Sequence, residues 1–167
     1  MRRCCKAWLL GAATLLGSVA AQAGPAPVPG VAATELKFRE FFQLPVGPRG
    51  LAPSARLLSL DGQPVHITGY LAHQDAASAP PGIALLAPLP VSLGDEDESF
   101  ADDLPASTLY LHLAGPLAAR TIAYRPGLVS LSGTLQVGAQ READGRASFV
   151  RLVLDPESAS VLLESPK

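Results

Sequence analysis

The stretch Leu57–Leu71, LLSLDGQPVHITGYL, decides the fold of this chain. Its Asp61-Gly62 pair is a turn signal between two apolar runs, because glycine accepts the positive φ that tight turns require. The residues after the turn alternate with period two, which predicts a strand with one buried face. The inward set is Val65, Ile67, Gly69 and Leu71. Gly69 therefore predicts a bulge, a sharp bend or a close backbone approach, and a bent strand of this kind is typical of the corner of a small closed barrel.

Working outward, the same criteria predict a series of strands on the C-terminal side. These are Gly82–Ala87, Thr108–Leu113, Val129–Val137 and Ala147–Leu154, with Ser160–Leu163 as a further short strand. Gly133 again takes an inward position in the middle of a long strand. The turn signal Asp144-Gly145 joins the last two long strands into a hairpin. Two bent strands, each with an inward glycine, predict that the first and fourth strands pair with each other.

The predicted fold is mainly β: a small OB-like, partly closed antiparallel barrel of 5–6 strands with a short N-terminal helix. The helix is predicted over Glu35–Phe42, with Thr34 as its cap. Phe38, Phe41 and Phe42 would share one helical face. That face either covers the barrel of its own chain or docks on another protein. The segment Ala114–Gly127 contains two prolines and leaves little room for the helix that OB-folds often carry there.

The N-terminal residues have the pattern of a cleaved leader. Residues 1–23 combine a basic start, an apolar run over Ala7–Ala20 and an Ala21-Gln22-Ala23 cleavage signal, which predicts a signal peptide. The apolar run is shorter than the roughly 20 residues of a membrane span. We expect the mature protein to start at Gly24, with a Pro-rich flexible lead over 24–33 and one domain over 34–167. We therefore expect it to be periplasmic or secreted, without a transmembrane span after cleavage.

Cleavage would change the composition of the protein. Both cysteines, Cys4 and Cys5, lie in the leader, so the mature chain would have no disulfide and no thiolate chemistry. The leader also holds three of the 13 basic residues and none of the 15 acidic ones, which changes the net charge from −2 to −5. An exported acidic protein is not expected to bind nucleic acid.

The motifs of the central region resemble a known family. They run from LxxLDGQPVxIxGYL through an acidic loop ending in ADDLP to GLVSLSGTL. This order resembles the DUF3299 type of uncharacterised exported bacterial proteins, over roughly Leu57–Leu154. The resemblance implies a location in the cell envelope, sometimes near transporter components, and implies no activity. Many such proteins carry a cysteine-bearing segment where this chain has the acidic loop, so a metal role of those cysteines does not extend to this chain.

The acidic loop is the first candidate site. Six carboxylates lie within nine residues: Asp95, Glu96, Asp97, Glu98, Asp102 and Asp103. A hard divalent cation such as Ca²⁺ would relieve their repulsion. The spacing does not form an EF-hand, because Phe100 and Ala106 occupy the positions of its essential Gly and Glu. The alternative is a solvated loop that binds no ion.

The outward strand face is the second candidate. His66, Tyr70, Tyr110 and His112 are predicted to point outward, with His73 following the first strand. If their strands were neighbours, these side chains could form an aromatic platform for a ligand or a partner. The histidines lack the close spacing typical of a metal site, which favours ordinary surface positions.

The sequence favours a non-enzymatic protein without a cofactor. It has no GxSxG motif, and Ser130 and Ser132 lie in the middle of a predicted strand. The leading hypothesis is an exported accessory or binding module of the cell envelope, whose partner is another envelope protein. The alternative is a periplasmic divalent-cation-binding protein that uses the acidic loop 95–103.

Overall fold

A computed structural model describes residues 32–74, 79–93, 104–143 and 145–164. Its strands are β1 (Thr34–Glu35), β2 (Pro64–Leu71), β3 (Ile83–Ala87), β4 (Leu109–His112), β5 (Leu128–Arg141) and β6 (Ala147–Leu154). Its α-helices are α1 (Ala55–Ser59) and α2 (Pro156–Leu163), and 3₁₀ turns cover Phe38–Glu40 and Gly115–Ala119. No helix within the described ranges has the length and apolar character that crossing a bilayer requires.

The six strands form one sheet that curls into a ring of hydrogen bonds. The strand order is β1-β2-β3-β4-β6-β5, and an additional pairing joins β5 back to β2. The ring is only partly closed, because β2 and β3 share two register pairs, Tyr70–Ala87 and Leu71–Leu86. The mainly β, partly closed fold is therefore confirmed, and so is the pairing of the first and fourth predicted strands.

The sheet is mixed, whereas the sequence predicted an antiparallel one. β1 runs parallel to β2, and β4 runs parallel to β6. The second parallel contact arises because β5 pairs with β2 and not with β4. The next strand, β6, then lies between β4 and β5 and runs parallel to β4. Strand order of this kind depends on long-range pairing, which local alternation does not encode.

The two inward glycines mark the places where backbones approach each other closely. A Cβ at Gly133 would overlap the carbonyl oxygen of Val153 on β6. A Cβ at Gly69 would lie 2.8 Å from the ring of Phe38 and 2.9 Å from the carbonyl oxygen of Ala87. Of the alternatives predicted at Gly69, the structure shows the close approach, and Gly133 has one as well.

The predicted helix over Glu35–Phe42 is wrong. Thr34 and Glu35 form β1 instead, and the amide of Leu36 donates to the carbonyl of His66 at 2.9 Å. This pairing with β2 leaves only a single 3₁₀ turn at Phe38–Glu40, where the Glu40 carboxylate accepts from the amide of Lys37 at 2.9 Å. Phe41 is buried in the core, and Phe38 and Phe42 pack against it. The phenylalanines therefore cover the protein's own sheet.

The predicted strand over Ser160–Leu163 is also wrong, because these residues belong to α2. The helix begins at Pro156 for two local reasons. Asp155 caps it by accepting from the amide of Ser158 at 2.7 Å, and Pro156 takes the first helical position. Ala159 and Leu162 then pack into the main core.

Candidate functional site

The outward side chains of β2 are tied to β5. His66 Nδ1 lies 2.9 Å from Ser132 Oγ, and Thr68 Oγ1 lies 2.7 Å from Ser130 Oγ. The register explains both contacts, since each residue sits directly opposite its partner in the β2–β5 ladder. His66 therefore has a hydroxyl partner on the neighbouring strand and serves the strand pairing.

Tyr110 lies on the outer face but is buried there. It forms a small second cluster with Ala72 and Leu85, outside the main core. The side chains packed over this cluster are Ile83, Val91, Leu93 and Leu104. The segment over 91–93 is held in place by His73, whose amide donates to Val91 and whose carbonyl accepts from Leu93, both at 2.8 Å. The chain itself thus covers the face that was predicted to be an open aromatic platform.

The four predicted platform residues are not brought into one group. β3 separates Tyr70 from Tyr110, since Tyr70 pairs with Ala87 and Tyr110 with Leu85 on that strand. His66 faces β5, and His112 lies between β3 and β6. Among the described residues, no group of three or more His, Cys, Asp or Glu side chains is placed to hold a metal ion.

The predicted cation site cannot be placed. All six of its carboxylates fall in the segment 94–103, outside the described residues. Cation binding by the acidic loop stays a prediction from the sequence.

A polar cluster, formed by His112, Glu142, Ser148 and Arg151, joins β4, β6 and the end of β5; the last three residues are buried and His112 is half-buried. Ser148 Oγ donates to Glu142 Oε1 and accepts from Arg151 Nη1 at 3.0 Å. Arg151 Nη1 also donates to the carbonyl of Gly138 at 2.8 Å. Ser148 therefore connects a buried guanidinium with a buried carboxylate, so that each charge retains a hydrogen-bond partner.

His112 completes the polar cluster on the side of β4. Its Nε2 lies 3.2 Å from Glu142 Oε2, and the side chains are 23% and 2% exposed. The two groups are at ion-pair distance without hydrogen-bond geometry, and no other described residue hydrogen-bonds this Nε2. Burial lowers the pKa of His112, Glu142 opposes that effect, and Arg151 adds to it. The lowered pKa favours a neutral imidazole.

Sequence reasoning missed three members of the polar cluster. Arg151 offered a signal, because it interrupts the apolar run of ASFVRLVL, and a charge within such a run implies a partner. Glu142 lies beyond the predicted strand, and it reaches β4 only because β5 is longer than predicted and has an irregular register between Val137 and Gln140. That geometry has no local sequence signal.

A cleft opens where β2 ends and β3 begins. It has a volume of about 390 Å³, within the range of small ligand sites. Its walls are mainly apolar, and they include Leu71, Ala72, Ala84, Ile122 and Ala123. His73 and Tyr124 stand among the lining residues in an edge-to-face pair, with ring centroids 4.7 Å apart. The cleft thus combines an apolar interior with two polar aromatic groups.

This cleft has no local signal in the sequence. Thr121–Tyr124 lies in the segment between Ala114 and Gly127, which has no regular structure beyond the 3₁₀ turn at Gly115–Ala119. The amide of Gly82 donates to the carbonyl of Arg120 at 2.8 Å and so fixes this segment beside β3. This contact and the packing of Ile122 against the main core, both long-range, place Tyr124 next to His73.

Comparisons with known proteins give little further information. No protein-family model matches the chain, and no curated protein matches it. Among solved structures, the chain is similar to a crystal structure of a DUF3299 family protein from Pseudomonas aeruginosa PAO1. The match covers 74% of this chain and 93% of that chain, with 14% sequence identity and a TM-score of 0.44. A likeness at this level carries no argument about function, and membership of the family stays a prediction from the motifs.

Proposed function

We propose that this chain is an exported, non-enzymatic OB-like binding module of the cell envelope, which serves an envelope assembly such as a transporter. Its binding site is the cleft of Leu71, His73, Ala84, Ile122 and Tyr124. The proposed occupant is an apolar side chain of another envelope protein. The leader pattern of residues 1–23 supports the exported location.

The cleft is the single observation that carries this proposal. An apolar concavity with a few polar groups at hand is the usual form of a small recognition site. Tyr124 is 42% exposed although it is a large aromatic residue. Tyrosine is enriched at interfaces because its ring buries a large apolar area while its hydroxyl finds a polar partner.

The contacts of the polar cluster support binding over hydrolysis. The Ser148 hydroxyl donates to Glu142 and not to the imidazole of His112. A serine nucleophile needs a base that takes its proton and a position open to the substrate. Ser148 and Glu142 are both buried, so the cluster is suited to joining β4, β5 and β6.

Site-specific photocrosslinking tests the proposal. The full chain is produced in its own organism with p-benzoylphenylalanine at position 124, and the irradiated envelope fraction is analysed by mass spectrometry. We expect one defined protein adduct and a chain that starts at Gly24. The matched control carries the same photoreactive residue at Leu128, which is 63% exposed and does not line the cleft.

A second variant separates cleft binding from chance proximity. Ala123 lines the cleft and is exposed, so Ala123→Trp should fill the cleft without disturbing the core. We expect the adduct at position 124 to disappear in this variant. Equal adducts at 124 and 128, or an adduct that persists in Ala123→Trp, would contradict the proposed site.

A further inference from the structure

We propose that the loop over residues 43–52 is a membrane-contacting element that docks the domain on an anionic bilayer surface. The ten residues read QLPVGPRGLA, and every one of them is exposed. This proposal concerns a surface separate from the cleft and does not depend on the proposed function.

The loop is a closed hairpin-like projection on a firm base. Phe42 and Pro53 form an isolated antiparallel bridge, and the amide of Gln43 donates to the carbonyl of Ala52 at 2.9 Å. Below that bridge, Phe41 is fully buried and its carbonyl accepts from the amide of Ser54 at 2.9 Å. At the tip, the amide of Gly50 donates to the carbonyl of Gly47 at 3.0 Å. The loop therefore holds its side chains outward on a fixed support.

The exposed side chains of this loop are unusually apolar. Leu44 is 76% exposed, Val46 53% and Leu51 47%. Surface loops normally carry polar side chains, and a group of exposed apolar residues marks a contact with another apolar phase. Three side chains on one hairpin form a compact insertion element, too small for a stable protein interface of standard size.

The basic charge of the loop favours an anionic bilayer as the surface that it contacts. Between Phe41 and Leu60 the sequence contains Arg49 and Arg56 and no acidic residue, although the whole chain has a net charge of −2. Arg49 stands in the tip itself, between Gly47 and Gly50. Apolar side chains next to cationic ones fit the boundary between lipid headgroups and acyl chains, and basic residues add attraction to anionic lipids.

Vesicle co-sedimentation of residues 24–167, which contain every described residue, tests the proposal. The probes are phosphatidylcholine vesicles with and without one third phosphatidylglycerol. We expect partitioning onto the anionic vesicles that falls about tenfold or more in Leu44→Ser/Leu51→Ser. Arg49→Gln should lower it about fivefold, the effect of losing one basic contact. The leader is left out because its apolar run and its three basic residues would themselves bind vesicles and mask a loss in the loop.

Matched controls come from other exposed positions. Leu128→Ser removes an apolar side chain that is 63% exposed on β5, and Arg120→Gln removes an exposed cation elsewhere. Both should partition like the parent protein. The proposal is overturned if the parent does not bind anionic vesicles, or if the loop variants bind as well as the controls.

A second experiment tests the same proposal by measuring how deeply the loop enters the bilayer. Val46→Trp should show fluorescence quenching by brominated lipids, and Leu128→Trp should not; each is the single Trp of residues 24–167, because Trp8 lies in the leader. Equal quenching at the two positions would also overturn the proposal, and it would leave a protein partner as the occupant of the loop.

Discussion

Gly133 has no room for a side chain, and this determines how closely β5 and β6 approach. The atoms that a Cβ would meet are the carbonyl group of Val153 and the Cα of Leu154, all backbone. Val153 pairs with β4 on one side and with β5 on the other, so its backbone cannot shift without disturbing the pairing on both sides. The glycine is therefore required for close packing, and its conformational freedom matters less.

Gly133→Ala should therefore destabilise the protein. We expect a loss on the order of 1–3 kcal/mol in the free energy of unfolding, the usual cost of overpacking, measured by urea denaturation. The matched control is Gly47→Ala, because a Cβ at Gly47 would meet nothing within 4 Å. The control should be neutral or more stable by up to about 1 kcal/mol, since alanine restricts the unfolded chain. Equal effects at the two glycines would contradict the packing argument.

His112 gives the protein a pH dependence of known sign. Burial lowers its pKa in the folded state, so the unfolded chain binds the proton more readily. Stability that is present above the unfolded pKa of about 6.5 is lost as the pH falls towards the lower folded pKa. Urea denaturation between pH 5 and pH 7.5 should show this loss.

His112→Gln should reduce that pH dependence, because the variant has no group that titrates at this position. The comparison is made as the difference between parent and variant at each pH, so that the carboxylates that do not contact His112 cancel. A parent and a His112→Gln variant with parallel pH profiles would show that His112 is not the responsible group.

At the scale of elements, α2 is fixed to the sheet by its N-terminus. The Ser158 hydroxyl accepts from the amide of Ser132 at 2.8 Å, and the amide of Asp155 donates to the carbonyl of Ser132 at 3.1 Å. The capping bond of Asp155 therefore stabilises the helix and its attachment to β5 together. This explains why a segment that alternates weakly and could extend as a strand becomes a helix.

Asp155→Ala should remove the cap and cost about 0.5–2 kcal/mol in the free energy of unfolding. Asp155→Asn retains a capping oxygen and should recover most of the stability. Circular dichroism and chemical denaturation of the three proteins measure both effects. If Asn is no better than Ala, the carboxylate acts through its charge and not as a cap.

At the scale of the whole molecule, cation binding by the acidic loop distinguishes the proposed function from its alternative. A binding module that uses the cleft needs no ion, so we expect the melting temperature to be unchanged by Ca²⁺, Mg²⁺, Zn²⁺, Cu²⁺, Mn²⁺ or EDTA. A ligand that binds only the folded state raises the melting temperature. A rise of several degrees with one ion, lost when Asp95–Glu98 are changed to Asn and Gln, would establish the cation-binding alternative.

The sequence by itself determined the strands β2 to β6 and two inward glycine positions. Alternation along β2, β4 and β5 arises from the two-residue period of a strand, so local residues are sufficient to identify it. The same period placed Gly69 and Gly133 on the inward face, where the structure shows close backbone approaches. The leader pattern and the acidic run are also properties of composition, and they stay predictions because the residues lie outside the described ranges.

The tertiary structure decided everything that depends on contacts between distant segments. Where the sequence predicted a helix over Glu35–Phe42, the structure has β1 and a 3₁₀ turn, because the edge of β2 at His66 was available for pairing. It buried Tyr110 under the segment 91–93, and it joined Glu142 to His112 across two strands. It also placed Tyr124 beside His73. Each of these contacts joins residues that are far apart in the chain, and alternation within one segment does not specify which other segment will lie against it.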